Sequence, residues 1–260
     1  MNRLDKEMVE RGLIDTRTKA QELISKGLVL INGKIVSKAS LLVSSEAEIE
    51  IKPNEEFKYV SRGGFKLEKA LKVFEISVKD KVVMDIGSST GGFTDCALKN
   101  GAKRVLAIDV GTNVMHPSLR NNAKVELHEN TNIKDVEINV FDDVEVIVVD
   151  VSFISLKKII EKVASANKEF DMLCLIKPQF ECGKEIASKY NGLILNKNIH
   201  NEILNNTIKM FNDFGFFVLG LDFSPIKGGD GNVEYITHIS NKATKNCKID
   251  IKKLIESAFK

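Results

Sequence analysis

The sequence predicts an α/β protein, with a doubly wound, mostly parallel seven-stranded sheet preceded by a small α+β unit. Three observations predict it. From about Lys79 onward, β-branched apolar runs alternate with longer stretches of helical spacing. That is the pattern of a sheet covered on both faces. The first run leads into Gly87-Ser88-Ser89-Thr90-Gly91-Gly92-Phe93. Glycines at a strand-to-helix turn let a ligand approach the backbone closely. The first sixty or so residues follow a different rhythm, with helical patterns first and short strands after.

Taken in order, Leu4, Met8 and Val9 recur at helical spacing, and Gly12 ends that segment. Thr16 is the expected N-cap of a second helix, whose apolar face is Ala20, Leu23 and Ile24 and whose stop is Gly27. Asn32-Gly33, between Leu28–Ile31 and Lys34–Val36, predicts a hairpin. Glu46 to Lys52 alternates charged and apolar residues and predicts one more strand, and Pro53-Asn54-Glu55-Glu56 is a polar break. These features set the expected organisation. An N-terminal unit spans 1–53, a linker 54–64, the sheet domain 65–241 and a tail 242–260. The strands of the sheet are expected at Val82–Ile86, Arg104–Asp109, Val125–His128, Val144–Val149, Met172–Lys177, Phe216–Asp222 and Val233–Ile239. The last two are close enough for a hairpin. The tail carries Ile249, Ile251, Leu254, Ile255 and Phe259, a short amphipathic helix with no assigned role.

Composition narrows the function. The chain has 260 residues, 43% hydrophobic and 28% charged, which excludes wholesale disorder. A net charge of +2 excludes a molecule that is basic all over, so any nucleic-acid surface must be local. The four cysteines, Cys96, Cys174, Cys182 and Cys247, form no CxxC pair, so no zinc site is expected, and their scarcity fits a reducing compartment. The charged N-terminus has no apolar core, and no apolar run approaches the ~20 residues of a membrane helix. The expected location is the cytoplasm.

The chemistry concentrates at strand ends. The glycine turn is GxxxGG rather than GxGxxG, a poor match to dinucleotide binding. Asp85 precedes the first glycine and Asp109 ends the next strand. A carboxylate there can accept both hydroxyls of an adenosine ribose, which points to S-adenosylmethionine. Asp150 and Lys177 end buried strands, where open α/β sheets bind ligands. Glu234 opens the last strand, and Lys66 lies before the sheet begins. Each could simply cap an element in solvent. Together, two lysines and two acids make a candidate catalytic cluster.

At this point the chain resembles a known family, the TlyA (hemolysin A) group, in which an S4 RNA-binding domain precedes an FtsJ-like ribose methyltransferase domain. The resemblance runs from Arg3 to about Ile239. It is carried by Arg3-Leu4-Asp5, Glu10-Arg11-Gly12-Leu13 and Thr16-Arg17 in the first unit, and by YVSRGGFKL, DIGSSTGGFT, AIDVG, HPSLR, VVDVSFIS, LIKPQFE and GNVEY in the second. It implies a Rossmann-like seven-stranded methyltransferase sheet with a small N-terminal α+β S4 domain. It also implies a Lys-Asp-Lys-Glu tetrad, at Lys66, Asp150, Lys177 and Glu234. The cofactor set expected around S-adenosylmethionine is Asp85, Gly87, Ser88, Gly91, Gly92, Phe93, Asp109, Asn130 and Asp150. Phe93 stands where the wider group often carries Trp.

The reaction implied is methylation of a ribose 2′-hydroxyl, that of a cytidine, in ribosomal RNA within a ribosomal subunit, by a monomer and without a metal. A lysine amine is normally protonated, with a reference pKa of about 10.4. Burial and a neighbouring cation lower that value, and carboxylates raise it. Lys177 is the expected base or proton acceptor, with Asp150 and Glu234 orienting the amines and the hydroxyl. Arg3, Arg11, Arg17, Lys19, Lys26, Lys34, Lys38 and Arg62 are the expected RNA contacts. Aromatics make up only 7% and Trp is absent, so shape recognition of structured RNA is favoured over base stacking. Three rivals stand beside this reading. A non-catalytic RNA-binding or assembly factor is opposed by the intact four residues. A membrane-active hemolysin is opposed by the lack of a span. A pseudouridine synthase is opposed by the glycine turn.

Overall fold

The computed structural model describes residues 1–14, 16–52, 54 and 57–260. Of the polar break at 53–56, Pro53, Glu55 and Glu56 lie outside the described residues. The chain divides into two compact units, Met1–Lys58 and Tyr59–Lys260.

The first unit runs β1 (Asn2–Arg3), α1 (Leu4–Glu10), α2 (Arg17–Ser25), β2 (Val29–Ile31), β3 (Lys34–Val36), β4 (Leu42–Val43) and β5 (Ile49–Ile51). Thr16 caps α2 by accepting the Lys19 N–H. Leu4 and Met8 from α1 meet Ala20, Leu23 and Ile24 from α2 in one buried cluster, closed by Val29 and Val43. Asn32 and Gly33 have φ of 48° and 76°, so both central residues of the β2–β3 turn are left-handed. That is the turn whose twist matches a hairpin. β2 lies between β3 and β5. The strand expected over Glu46–Lys52 is confined to Ile49–Ile51. The antiparallel β1–β4 pair is too short to leave a periodic signal.

The second unit runs α3 (Gly63–Val73), β6 (Val82–Ile86), α4 (Gly92–Lys99), β7 (Arg104–Ile108), α5 (Pro117–Arg120), β8 (Val125–His128), β9 (Val146–Val149), α6 (Leu156–Ser165), β10 (Asp171–Ile176), α7 (Pro178–Glu181), α8 (Gly183–Lys189), α9 (Lys197–Asp213), β11 (Phe217–Phe223), β12 (Tyr235–Ser240) and α10 (Ile251–Ala258). Its seven strands are ordered β11-β12-β10-β9-β6-β7-β8. The sheet is parallel from β10 to β8, and β12 is antiparallel to both β10 and β11. Alternate residues of the central strands feed two cores. Met84, Ile86, Ile147 and Val149 face one layer of helices, while Val83, Val146 and Val148 face the other.

Several strand limits differ from the expected ones by one or two residues. Asp109 and Lys177 lie one residue beyond their strands, and Glu234 lies one residue before β12. Pro178 accounts for Lys177, since it cannot donate to a ladder and forces its predecessor into an extended conformation, φ −107°. Val144 falls in the turn before β9, where its N–H reaches Phe141 O at 3.1 Å. The tail helix α10 packs on the second unit through buried Ile255, and the Phe259 ring stands 5.0 Å from His200 of α9.

Candidate active site

The strand order decides what meets at the carboxyl edge of the sheet. The chain leaves β6 for β7 on one side and returns to β9 on the other, so the loops after β6 and β9 are neighbours at a switch point. The glycine turn follows β6, and Asp150 follows β9. β10 lies beside β9 and delivers Lys177. Because β12 runs antiparallel to β10, its first residues, not its last, lie at the same edge, and Glu234 arrives there.

Lys66 comes from α3, whose buried Leu67, Ala70 and Leu71 fix it against the sheet. The start of α3 lies directly on the start of α4. A Cβ on Gly92 would stand 2.3 Å from Ser61 Oγ and 2.9 Å from Gly64 N. Gly92 therefore serves the close approach to the Ser61–Gly64 segment, whereas a Cβ on Gly64 would instead meet the Tyr59 side chain. Val60 N–H donates to Asp95 Oδ2 at 2.9 Å and ties the same segment to α4.

The four charged groups form one alternating row. Glu234 Oε2 lies 2.6 Å from Lys66 Nζ, and Asp150 Oδ2 lies 3.6 Å from the same nitrogen. Asp150 Oδ1 meets Lys177 Nζ at 2.5 Å as an ion contact, without the alignment of a hydrogen bond. Lys177 Nζ also donates to Ser152 Oγ at 3.1 Å, and Gln179 Nε2 donates to Glu234 Oε1 at 3.3 Å. Lys66, Lys177 and Glu234 are all buried. Buried charges persist only when paired, and here each cation has a carboxylate beside it. Gln179 and Ser152 were not among the expected site residues. Both lie inside motifs that carry the family resemblance, VVDVSFIS and LIKPQFE, where only Asp150 and Lys177 were given a role.

Two adjoining cavities open here. One, of about 280 Å³, is lined by Lys66, Lys177, Asp150, Ser152, Phe93 and Arg62 among others. The second, of about 450 Å³, is more apolar, with Ile108, Ile133 and Ile159 below and Asp109, Asn132 and Phe153 at its sides. Both touch Gly87, Ser89, Asp150 and Ser152. Asp109 accepts the Ser89 and Gly111 N–H groups, both at 2.7 Å, which fixes its carboxylate at the lip of the second cavity. Asn130 does not line that cavity, whereas Thr131 and Asn132 do. Asn130 instead returns its N–H to Gly111 O at 2.9 Å. Gly91, with φ 94°, is backed by Met115 and Leu119.

The residues fit an S-adenosylmethionine molecule. Asp85 Oδ1 and Ser88 Oγ are buried without a protein partner beside the turn, positions that a cofactor ammonium or carboxylate would satisfy. Burial pushes the Asp85 carboxyl up to about 7, against the pull of its Thr94 hydrogen bond. The glycine backbone leaves room for a methionine chain, and the apolar cavity suits a base. Among the described residues no group of three or more His, Cys, Asp and Glu is placed to hold a metal.

The expected RNA cations of the first unit are mostly engaged. Arg3 and Arg17 both reach fully buried Asp5 at 3.0 Å, and with Gln21 they hold its carboxyl well below the usual range. Arg11 pairs with Glu7 at 2.8 Å and donates to Ala47 O and Ser44 O, so it fastens α1 to the loop before β5. Lys26 pairs with Glu22. Lys19 is half-buried, whereas Lys34 and Lys38 are exposed, as is Arg62 in the second unit.

An open α/β sheet, a glycine turn at its switch point, an acid after the next strand and a lysine–carboxylate row together define a class, the S-adenosylmethionine methyltransferases. The FtsJ-like methyltransferase family model matches residues 59–241, and the S4 domain model matches residues 2–49. The chain is 46% identical over 241 residues to "Hemolysin A" of Brachyspira hyodysenteriae, covering 91% of this chain and 98% of that one. It is 36% identical over 235 residues to the "16S/23S rRNA (cytidine-2'-O)-methyltransferase TlyA" of Mycobacterium tuberculosis, covering 90% and 87%. A solved structure that carries the hemolysin name, from Streptococcus thermophilus, superposes with a TM-score of 0.74 at 39% identity over 98% of this chain and 94% of that one. The chain belongs to the FtsJ-like methyltransferase family, within its S4-bearing TlyA (hemolysin A) group. Its cofactor is S-adenosylmethionine.

Proposed function

We propose that this protein methylates the ribose 2′-hydroxyl of a cytidine in ribosomal RNA, acting as a cytoplasmic monomer on an assembled ribosomal subunit. The observation that carries the proposal is the row Glu234–Lys66–Asp150–Lys177 beside the glycine turn. When bound, S-adenosylmethionine supplies an electrophilic methyl group. What the protein must supply is a nucleophile, because a neutral ribose hydroxyl is a poor one. Lys177 takes the hydroxyl proton. Asp150 holds Lys177 and Lys66 on either side of the reaction cavity, and Glu234 holds Lys66. General base action of this kind contributes about 10²–10⁴-fold, and positioning supplies much of the rest. The relatives named for rRNA cytidine methylation support the choice of acceptor.

The direct test is methyl transfer from tritiated S-adenosylmethionine to ribosomal subunits purified from a strain lacking the gene. Label in the rRNA of one or both subunits, located on a cytidine ribose, is the expected result. No label despite cofactor binding would favour a non-catalytic RNA-binding factor. The hemolysin name calls for no membrane activity here, and among the described residues no helix is long and apolar enough to cross a membrane.

In the cofactor site, Asp85, Gly87, Ser88 and Gly91–Phe93 would hold the methionine part and Asp109 the ribose. The carboxylate form of Asp85 is the one an ammonium group pairs with. Its value near 7 means that below that pH binding must first expel a proton. Calorimetry should show affinity rising between about pH 6 and 7.5, and Asp85→Asn should remove the rise. The same group makes the folded state relatively more stable at low pH, an advantage lost as pH rises toward 7.

In the first unit, residues 1–53 would serve as the RNA-binding part, with the exposed Lys34 and Lys38 as phosphate contacts; of the linker expected over 54–64, residues 59–64 belong to the second unit and Gly63 opens α3. Replacing both lysines with alanine should reduce the slope of log affinity against log salt by about 1 per lysine, without changing sequence preference. Filter binding across a salt series reads this directly.

A further inference from the structure

We propose that Ser152 is a positioning residue that aims the Lys177 amine at the acceptor hydroxyl. The proposal rests on Lys177 being the proton acceptor. A neutral lysine amine has two N–H bonds and one lone pair. One N–H is committed to Ser152 Oγ at 3.1 Å. The nitrogen is also held 2.5 Å from Asp150 Oδ1. Lys66, Lys177 and Ser152 line one cavity, so an acceptor hydroxyl bound there would meet this nitrogen. A carboxylate alone would hold the nitrogen in place but would not set its rotation about the terminal carbon bond. A second acceptor, off the axis of the first, does.

Ser152 can serve this way because its loop is fastened to the segment that bears Lys177. Asp150 N–H continues the ladder to Ile86 O at 3.1 Å. Phe153 adopts φ 63°, a conformation unfavourable for an aromatic residue, with its ring 5.0 Å from that of Phe180 on α7. Beyond it, Glu181 on α7 accepts from Leu156 N–H at 2.8 Å and from Ser155 Oγ at 2.9 Å. Lys177 immediately precedes α7. The loop of the acid and the turn of the base are thus joined before Ser152 by the Asp150–Lys177 contact and beyond it by the bonds of Ser155 and Leu156 to Glu181.

The test is steady-state kinetics with calorimetry on Ser152→Ala, Ser152→Thr and Lys177→Ala in the full chain. Ser152→Ala should lower kcat about 10- to 100-fold, the scale of a misaimed catalytic group. The melting temperature should stay at the wild-type value, since Ser152 is exposed and its truncation opens no core. Because Ser152 also lines the second cavity, the calorimetric Kd for S-adenosylmethionine is read separately and should rise far less than kcat falls. Ser152→Thr, which keeps the hydroxyl, should recover most of kcat. Wild-type kcat in Ser152→Ala overturns the proposal, as does a parallel loss of cofactor affinity or a threonine variant no better than alanine. Those outcomes leave Lys177 untouched as the base if Lys177→Ala is inactive. An active Lys177→Ala instead removes the reading on which the proposal rests.

Discussion

Lys177→Ala is expected to lose at least about a thousandfold in turnover while its S-adenosylmethionine affinity stays within about twofold of wild type. The first half follows from chemistry. Among the described residues lining the reaction cavity, the other amines are Lys227, exposed on the loop before β12, and Lys66, which lies between two carboxylates, with Glu234 at 2.6 Å and Asp150 at 3.6 Å. Lys66 is committed to those two carboxylates and offers no ready substitute for Lys177. The second half follows from position. Lys177 lines the polar cavity but not the apolar one proposed for the base and ribose of the cofactor. Removing Lys177 also leaves Asp150 with Lys66 as its remaining cation. Asp150 is partly open to solvent, so the uncompensated charge costs less than it would in a sealed core. Lys177→Met fills the same space without the amine and separates a catalytic loss from a packing loss. Single-turnover label transfer and calorimetry on the two variants measure both halves. An alanine variant that turns over at more than a tenth of the wild-type rate would falsify the assignment.

What the sequence reveals and what it hides divide along the range of the interactions. Thr16, Asn32-Gly33 and the apolar strand runs are local signals, and the structure realises each within a few residues. Strand limits slip by one or two residues because a buried run says nothing of where the ladder stops. The charged groups at the carboxyl edge are visible because acids and lysines rarely end buried strands without a partner. Their pairing depends on the β12 insertion between β10 and β11, which no local pattern encodes. Ser152 is hidden for the same reason, since its partner stands 25 positions away in the chain. Arg11 shows the opposite error. A cation on a helix of an RNA-binding unit looks like a phosphate contact, yet two backbone carbonyls and Glu7 already occupy it. Asn130 differs again. The resemblance puts it in the cofactor set, while the apolar cavity is lined by its neighbours Thr131 and Asn132.

Gly87→Ala is expected to damage stability and cofactor binding together, because one backbone position serves both. Gly87 has φ 84°, where an alanine pays about 1–2 kcal/mol for its Cβ. The added carbon would also lie 2.7 Å from the Asp150 carbonyl oxygen and 3.0 Å from Val151 Cγ1. The first of these is backbone and cannot swing aside. Asp150 N–H is bonded to Ile86 O at 3.1 Å, and Gly87 N–H to Ile108 O at 2.9 Å, so both sides of the contact are held by the sheet. Relief requires the β6 and β9 loops to part, at a further cost of roughly 1–3 kcal/mol. In a unit of this size, each kcal/mol lowers the melting temperature by about 2–4 °C. Parting those loops also moves Ser89 from Asp109 and Asp150 from the two lysines, so cofactor affinity should fall at least about tenfold, with turnover following. Gly229→Ala is the matching control for stability. Its Cβ would meet no heavy atom within 4 Å, and its melting temperature should not change. If Gly87→Ala melted and bound cofactor like the wild type, the close contact between the glycine turn and Asp150 would not exist in solution. The juxtaposition of cofactor site and catalytic row would then need another support.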